Sequence, residues 1–348
     1  MKASFFYGPQ DIQVEEVDKP VINENELLIK VHIGSICGTD LRIFKFGHFK
    51  IDQKRVLGHE LAGEVVEVGE NVNGFSLGDR ISVAPNVGCG HCRMCQKGYN
   101  QLCSEYEAFG ISYDGGFQEY MKIPQAAIER GNVFKVPANL SYVEAALVEP
   151  FSCTYNSYKA LNTKPGDTVV IIGAGPIGAC HVLINKLAGA TKIIVADVAA
   201  SRLTEMKKIG ADVTVLSSEE DLNARVLEET DGAGADVVIT ACSVPAVQQQ
   251  ALEIAAVHGR VNFFGGMPKG KEFVTLNTNL LHYKELIVLG TTGSSIENYR
   301  ESLDIVASKK VDLLQLATHS FSLEQINDAF AFAQSGEGMK TYLNIAGE

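Results

Sequence analysis

The sequence predicts an α/β chain of two domains, a β-rich and mostly antiparallel one and a doubly wound parallel sheet. Three observations carry this expectation. At 348 residues the chain exceeds one ordinary core and fits about two domains of roughly 150 residues. Residues 1–130 show period-2 segments broken by glycine turns. From Thr168 onward, apolar runs alternate with segments of helical length.

In the first region, Glu26–Ile33 and Gly63–Gly69 alternate in hydropathy, and turn signals this frequent point to a barrel or sandwich-like core. In the second, Thr168–Ile172, Lys192–Ala196, Asp212–Leu216, Asp236–Thr240, Arg260–Phe264 and Leu286–Leu289 read as buried strands. Helical segments between them give the pattern of βαβ units, and six strands match a full dinucleotide fold. After about Gly290 the alternation lapses. Ile296–Ser308 and Leu323–Ser335 read as helices, Ala317–Ser322 as extended and Lys340–Ile345 as a last strand, and this tail is expected to return to the first domain.

Apolar residues make up 46% and charged residues 21%, ordinary for a globular chain. The net charge of -12, without a run of one sign, disfavours a nucleic-acid partner. No apolar stretch reaches the roughly 18 residues of a membrane span, and the first residues do not resemble a signal peptide. A cytoplasmic protein without a membrane partner is expected. Of eight cysteines, Cys37, Cys153, Cys180 and Cys242 are scattered, while four crowd into Cys89–Cys103, which argues for metal rather than disulfides.

Val169-Val170-Ile171-Ile172-Gly173-Ala174-Gly175-Pro176-Ile177-Gly178 is an apolar strand running into G-x-G-x-x-G. Gly173 allows the tight turn, Gly175 the approach of a pyrophosphate and Gly178 close helix packing, while Pro176 suits a first helical turn. Asp197 ends the next strand. Its carboxylate suits the two ribose hydroxyls of NAD and repels the 2′-phosphate of NADP, unless it merely caps the following helix. Arg202 is a candidate to stack on adenine, or is simply an exposed helix residue.

Cys89-x2-Cys92-x2-Cys95-x7-Cys103 offers four thiolates for a closed, structural zinc site. An iron-sulfur cluster is the rival, although the bacterial ferredoxin spacing ends differently. A second site must be assembled from distant residues: Cys37, His59, Glu60 and Glu149. Catalytic zinc takes about three protein ligands and keeps one position open. Each of these residues also has a plain structural reading as core or surface.

Gly58-His59-Glu60-x2-Gly63-x5-Gly69-x2-Val72 is similar to the signature of the zinc-dependent medium-chain alcohol dehydrogenases, and the cysteine lobe, the glycine turn and Asp197 follow in that family's order. The resemblance spans essentially the whole chain. It implies a GroES-like catalytic domain over 1–152 and 291–348 and a Rossmann NAD-binding domain over 153–290. It implies two zinc ions, one catalytic and held by Cys37, His59 and Glu149 with Glu60 sharing or exchanging, and one structural.

Cys37-Gly38-Thr39-Asp40 and Glu149-Pro150 resemble the polyol and threonine dehydrogenase branch. Where sorbitol and threonine dehydrogenases carry His, this chain has Arg42, and the run to His48 is similar to galactitol-1-phosphate dehydrogenase. Arginine does not titrate near neutrality and cannot relay a proton. Arg42, Lys45 and His48, with Lys50, Lys54 and Arg55, form either a solvated basic loop or a phosphate clamp.

The expected reaction is oxidation of a secondary alcohol of a polyol such as arabitol, galactitol or sorbitol, plain or phosphorylated, with hydride passing to NAD and the proton leaving through Thr39. Thr39 alternatively caps a helix that begins at Asp40. A threonine-type amino-alcohol dehydrogenase and an NAD-binding sensor on the same fold are the other readings. A homo-oligomer, dimer or tetramer, is expected.

Overall fold

The structure, a computed structural model, describes residues 1–347. It divides into two compact units, Met1–Ser152 with the chain from Gly293 onward, and Cys153–Thr292. The first boundary falls inside the helix Tyr142–Leu161. Among the described residues no helix is long and apolar enough to cross a membrane.

The main sheet of the first unit is seven-stranded. Its order runs Val133–Lys135, Arg80–Val83, Glu60–Val68, Leu27–Ser35, Lys340–Asn344, Ala317–Phe321, with Tyr120–Ile123 also on Leu27–Ser35. The pairs are antiparallel except the last, in which Ala317–Phe321 and Lys340–Asn344 run parallel. Leu27–Ser35 is buried on both faces, more than its alternating sequence suggests, because it has neighbours on both edges and lies in the core with Leu61, Val65, Ile81 and Phe117. Gly63 faces Val31 across this ladder at an irregular step in register. A Cβ there would lie 2.3 Å from the Lys30 carbonyl oxygen, so only glycine allows the approach. The C-terminal residues join this unit through Lys340–Asn344, which pairs antiparallel with Leu27–Ser35.

The second unit holds a six-stranded sheet in the order Val213–Leu216, Lys192–Asp197, Thr168–Ile172, Ala235–Thr240, Ala255–Phe263, Ile287–Gly290. Every pair is parallel. In chain order this is 3-2-1-4-5-6, the doubly wound dinucleotide arrangement with a reversal beside the first strand. All six strands expected from the apolar runs are present. The fifth begins earlier than Arg260 because it follows the helix Pro245–Ile254 without a loop and passes an irregular step at His258, whose φ of 62° interrupts the ladder.

Candidate zinc and dinucleotide sites

Cys37 is the N-cap of the helix Gly38–Phe46, and His59 immediately precedes the strand Glu60–Val68. The helix therefore starts two residues before Asp40, and the capping role open to Thr39 is not realised. Thr39 instead stands half-buried in the first turn. Cys37, His59 and Glu60 bring their ligand atoms within 4.8 Å of one another. Glu149, buried in the helix Tyr142–Leu161, does not join that cluster. A thiolate, an imidazole and a carboxylate are a donor set that fits zinc.

Asp40, fully buried, organises this cluster. One carboxylate oxygen accepts the Cys37 N–H at 2.9 Å. The other accepts the Gly58 N–H at 3.2 Å and lies 3.4 Å from His59 Nδ1. A proton on Nδ1 facing Asp40 leaves Nε2 as the metal-binding nitrogen, the arrangement by which a carboxylate fixes the tautomer of a ligating histidine. Burial opposes protonation of His59, but the pull of Asp40 and Cys37 outweighs it and holds the imidazole well above its ordinary range. In the sequence Asp40 reads only as part of a motif. The signal for its role is its place three residues after Cys37, where a carboxylate reaches back to the N-cap N–H.

Glu60 is fully buried, and Lys340 Nζ lies 2.5 Å from each of its carboxylate oxygens. The same ammonium donates to the Ile36 carbonyl at 3.3 Å. A lone lysine in a C-terminal strand carries no sequence signal. Only the pairing of Lys340–Asn344 with Leu27–Ser35 brings it to the site.

In the second cluster the sulfurs of Cys89, Cys92, Cys95 and Cys103 all lie within 4.8 Å of one another. Cys92 and Cys103 Sγ are 3.8 Å apart, far beyond a disulfide and matching the edge of a tetrahedron with zinc–sulfur bonds of about 2.3 Å. That spacing suits a single ion, whereas an iron-sulfur cluster would spread the sulfurs farther. Backbone amides of Cys92, Cys95 and Glu105 point at Cys89, Cys92 and Cys103 Sγ at 3.4–3.5 Å, stabilising thiolates. Amide hydrogen bonds from His91 and Cys92 bring the Cys89 thiol down to about 6, while burial raises Cys95 to about 12.

In the second unit, the strand Thr168–Ile172 leads through Gly173 and Gly175 into the helix Pro176–Leu187, with Pro176 in its first turn and Ile177 behind it. A Cβ on Gly178 would lie 2.0 Å from the Gly173 carbonyl oxygen, so close packing of turn and helix needs glycine. A Cβ on Gly175 would meet no atom nearer than Arg202 Nη1 at 3.8 Å, so this point is open to a ligand. Arg202 thus stands beside the glycine turn. Asp197 accepts from the Ala174 N–H at 2.6 Å and the Ala199 N–H at 2.9 Å, and Ala199, not Asp197, is the N-cap of the next helix.

The basic segment separates into two groups. Lys50 donates to the Tyr106 carbonyl, Lys54 pairs with Glu15 and Arg55 with Asp114. His48 accepts from the Lys50 N–H, and burial with the Lys50 and Arg42 charges holds it below its ordinary range. Arg42 and Lys45 instead line an open cleft of about 500 Å³ together with Gln10, Leu41, Phe44 and Gln334.

Known protein families, related sequences and solved structures match this chain. The alcohol dehydrogenase GroES-like domain matches residues 23–137 and the zinc-binding dehydrogenase domain residues 176–308. Sorbitol dehydrogenase of Bacillus subtilis (strain 168) is 35% identical, over 94% of this chain and 92% of its own. L-threonine 3-dehydrogenase of Pyrococcus furiosus is 34% identical, over 97% and 95%. The solved galactitol-1-phosphate dehydrogenase of Escherichia coli superposes with a TM-score of 0.89 at 25% identity, covering 99% of this chain and 100% of that one.

Proposed function

We propose, because the chain belongs to the zinc-dependent medium-chain alcohol dehydrogenase family, that it oxidises a secondary hydroxyl of a sugar alcohol or sugar-alcohol phosphate to the ketose or its phosphate, with NAD as acceptor. The observation that carries this reading is the Cys37–His59–Glu60 cluster with Asp40 behind it. Relatives of nearly equal identity act on different alcohols by name, so identity does not choose the substrate. The cleft supports a phosphorylated polyol: Arg42 and Lys45 suit a phosphate, and Gln10 and Gln334 suit hydroxyls.

Zinc held by Cys37, His59 and a glutamate supplies Lewis acidity toward the substrate hydroxyl, and NAD supplies the hydride acceptor. Glu149 and Glu60 share the carboxylate position in this reading, with Lys340 restraining Glu60. Asp40 holds His59 in its ligating tautomer. Thr39, whose hydroxyl both accepts and donates, takes the alcohol proton and passes it to water, and Arg42 has no part in that transfer.

In the second unit, the open turn at Gly175 would hold the pyrophosphate of the dinucleotide with Arg202 beside it, and the Asp197 carboxylate would favour the ribose hydroxyls of NAD over a 2′-phosphate. Among the described residues the edge strand Ile287–Gly290 is paired on one side only, and Ile287, Val257, Phe273 and Tyr283 are exposed. Such an edge invites a second copy, which supports a homodimer. Eight free cysteines and use of NAD fit the reducing cytoplasm.

The test is NAD reduction with sorbitol, arabitol, galactitol, their phosphates and threonine, on the native enzyme and on Arg42→Gln/Lys45→Gln. A preference for a phosphorylated polyol that the double substitution lowers by about tenfold or more supports the reading. Equal kcat/KM for plain and phosphorylated polyols removes the phosphate role, and turnover of threonine above every polyol overturns the substrate class.

A further inference from the structure

The four-cysteine lobe carries a second set of metal-binding groups on its outside. Cys89, His91 and Glu105 bring ligand atoms within 4.8 Å of one another, and Cys89 is common to this set and to the four-thiolate cluster. His91 and Glu105 are exposed, Cys89 is half-buried and Cys103 is buried. Among the described residues neither the Glu105 carboxylate nor His91 Nε2 has a protein partner. His91 Nδ1 lies 3.1 Å from the Cys89 carbonyl. A carbonyl only accepts, so Nδ1 carries the proton and Nε2 keeps its lone pair for a metal.

We propose that Cys89, His91 and Glu105 form a loading site, which captures Zn²⁺ from solution and passes it to the closed four-cysteine site. A four-thiolate cage has no free position for an arriving hydrated ion and fills by stepwise ligand exchange. The shared Cys89 lets the ion cross without leaving the protein. Its bond to Cys89 persists while bonds to His91 Nε2 and Glu105 are replaced by bonds to Cys92, Cys95 and Cys103. The ion stays Zn²⁺ throughout, and each thiol that joins as thiolate gives its proton to solvent. Zinc bonds of about 2.0–2.3 Å place tetrahedral ligand atoms roughly 3.3–3.8 Å apart. Rotation of the two exposed side chains closes the present span.

The experiment follows metal exchange rather than turnover, so it stands apart from the substrate reading. Full-length zinc-loaded enzyme is mixed with increasing Co²⁺, and the tetrathiolate cobalt spectrum, distinct from that of the mixed-ligand site, reports arrival in the lobe. The native enzyme should show a rate that saturates with cobalt, the mark of a prior binding step. His91→Gln with Glu105→Gln should slow arrival by about tenfold or more and abolish saturation, with the final spectrum and occupancy unchanged. Glu105→Asp, which keeps the carboxylate, should recover most of the rate. Equal rates in the native and doubly substituted enzymes overturn the proposal. So does an altered final spectrum, which would make these residues permanent ligands.

Discussion

Lys340 Nζ lies 2.5 Å from both carboxylate oxygens of Glu60, although 280 residues separate them in sequence. Both side chains are almost fully buried, at 4% and 0% exposure. Truncating the cation leaves an uncompensated carboxylate beside the zinc ligands. Lys340→Met is expected to cost about 3–5 kcal/mol, read as a fall in the denaturant midpoint, whereas Lys340→Arg keeps the pair and most of the stability. A midpoint unchanged in Lys340→Met would mean that the pair contributes no net stability.

Asp40 holds the Cys37 and Gly58 amides and His59 in one arrangement. Asp40→Asn should therefore lower zinc affinity or turnover by about 10–100-fold without changing any metal ligand. His59→Ala should abolish turnover while NAD binding, measured by fluorescence titration, persists in the separate unit. Turnover surviving in His59→Ala would remove zinc from the chemistry.

Thr39 occupies the first turn of the helix Gly38–Phe46 without capping it. Thr39→Val is predicted to lower kcat by about 100-fold or more, and Thr39→Ser to retain it, since only the hydroxyl is needed. The comparison is a steady-state pH profile of the three enzymes. Equal kcat in Thr39→Val would route the proton elsewhere.

His181 is fully buried in the helix Pro176–Leu187, neither ring nitrogen has a partner among the described residues, and burial lowers it to about 3 from 6.5. Between those values the unfolded chain binds a proton that the native one refuses. Stability from this group is thus complete above about pH 6.5 and declines as pH falls toward 3. His181→Leu should flatten that decline, by about 5 kcal/mol at most, in denaturation midpoints measured across the window. Parallel curves would sink the prediction.

The parallel sheet was legible because strands buried on both faces must be continuous apolar runs, and its glycine turn cannot be built from other residues. The cysteine lobe was legible because its ligands are local in sequence. Lys340 was not, since nothing nearby in sequence marks it and only strand pairing brings it to Glu60. The basic segment was legible only in part. Its five cations look alike in sequence, but tertiary partners occupy Lys50, Lys54 and Arg55 and leave Arg42 and Lys45 facing the cleft.

Lys340–Asn344 pairs with Leu27–Ser35, and this imposes an order on biosynthesis. The nucleotide-binding unit is one uninterrupted segment, free to fold as soon as it clears the ribosome. The catalytic unit must wait with Leu27–Ser35 lacking one neighbour, and with Glu60 lacking its cation, until Lys340–Asn344 has been made. During that interval the half-built sheet is the part of the nascent protein most exposed to mispairing and most dependent on a chaperone.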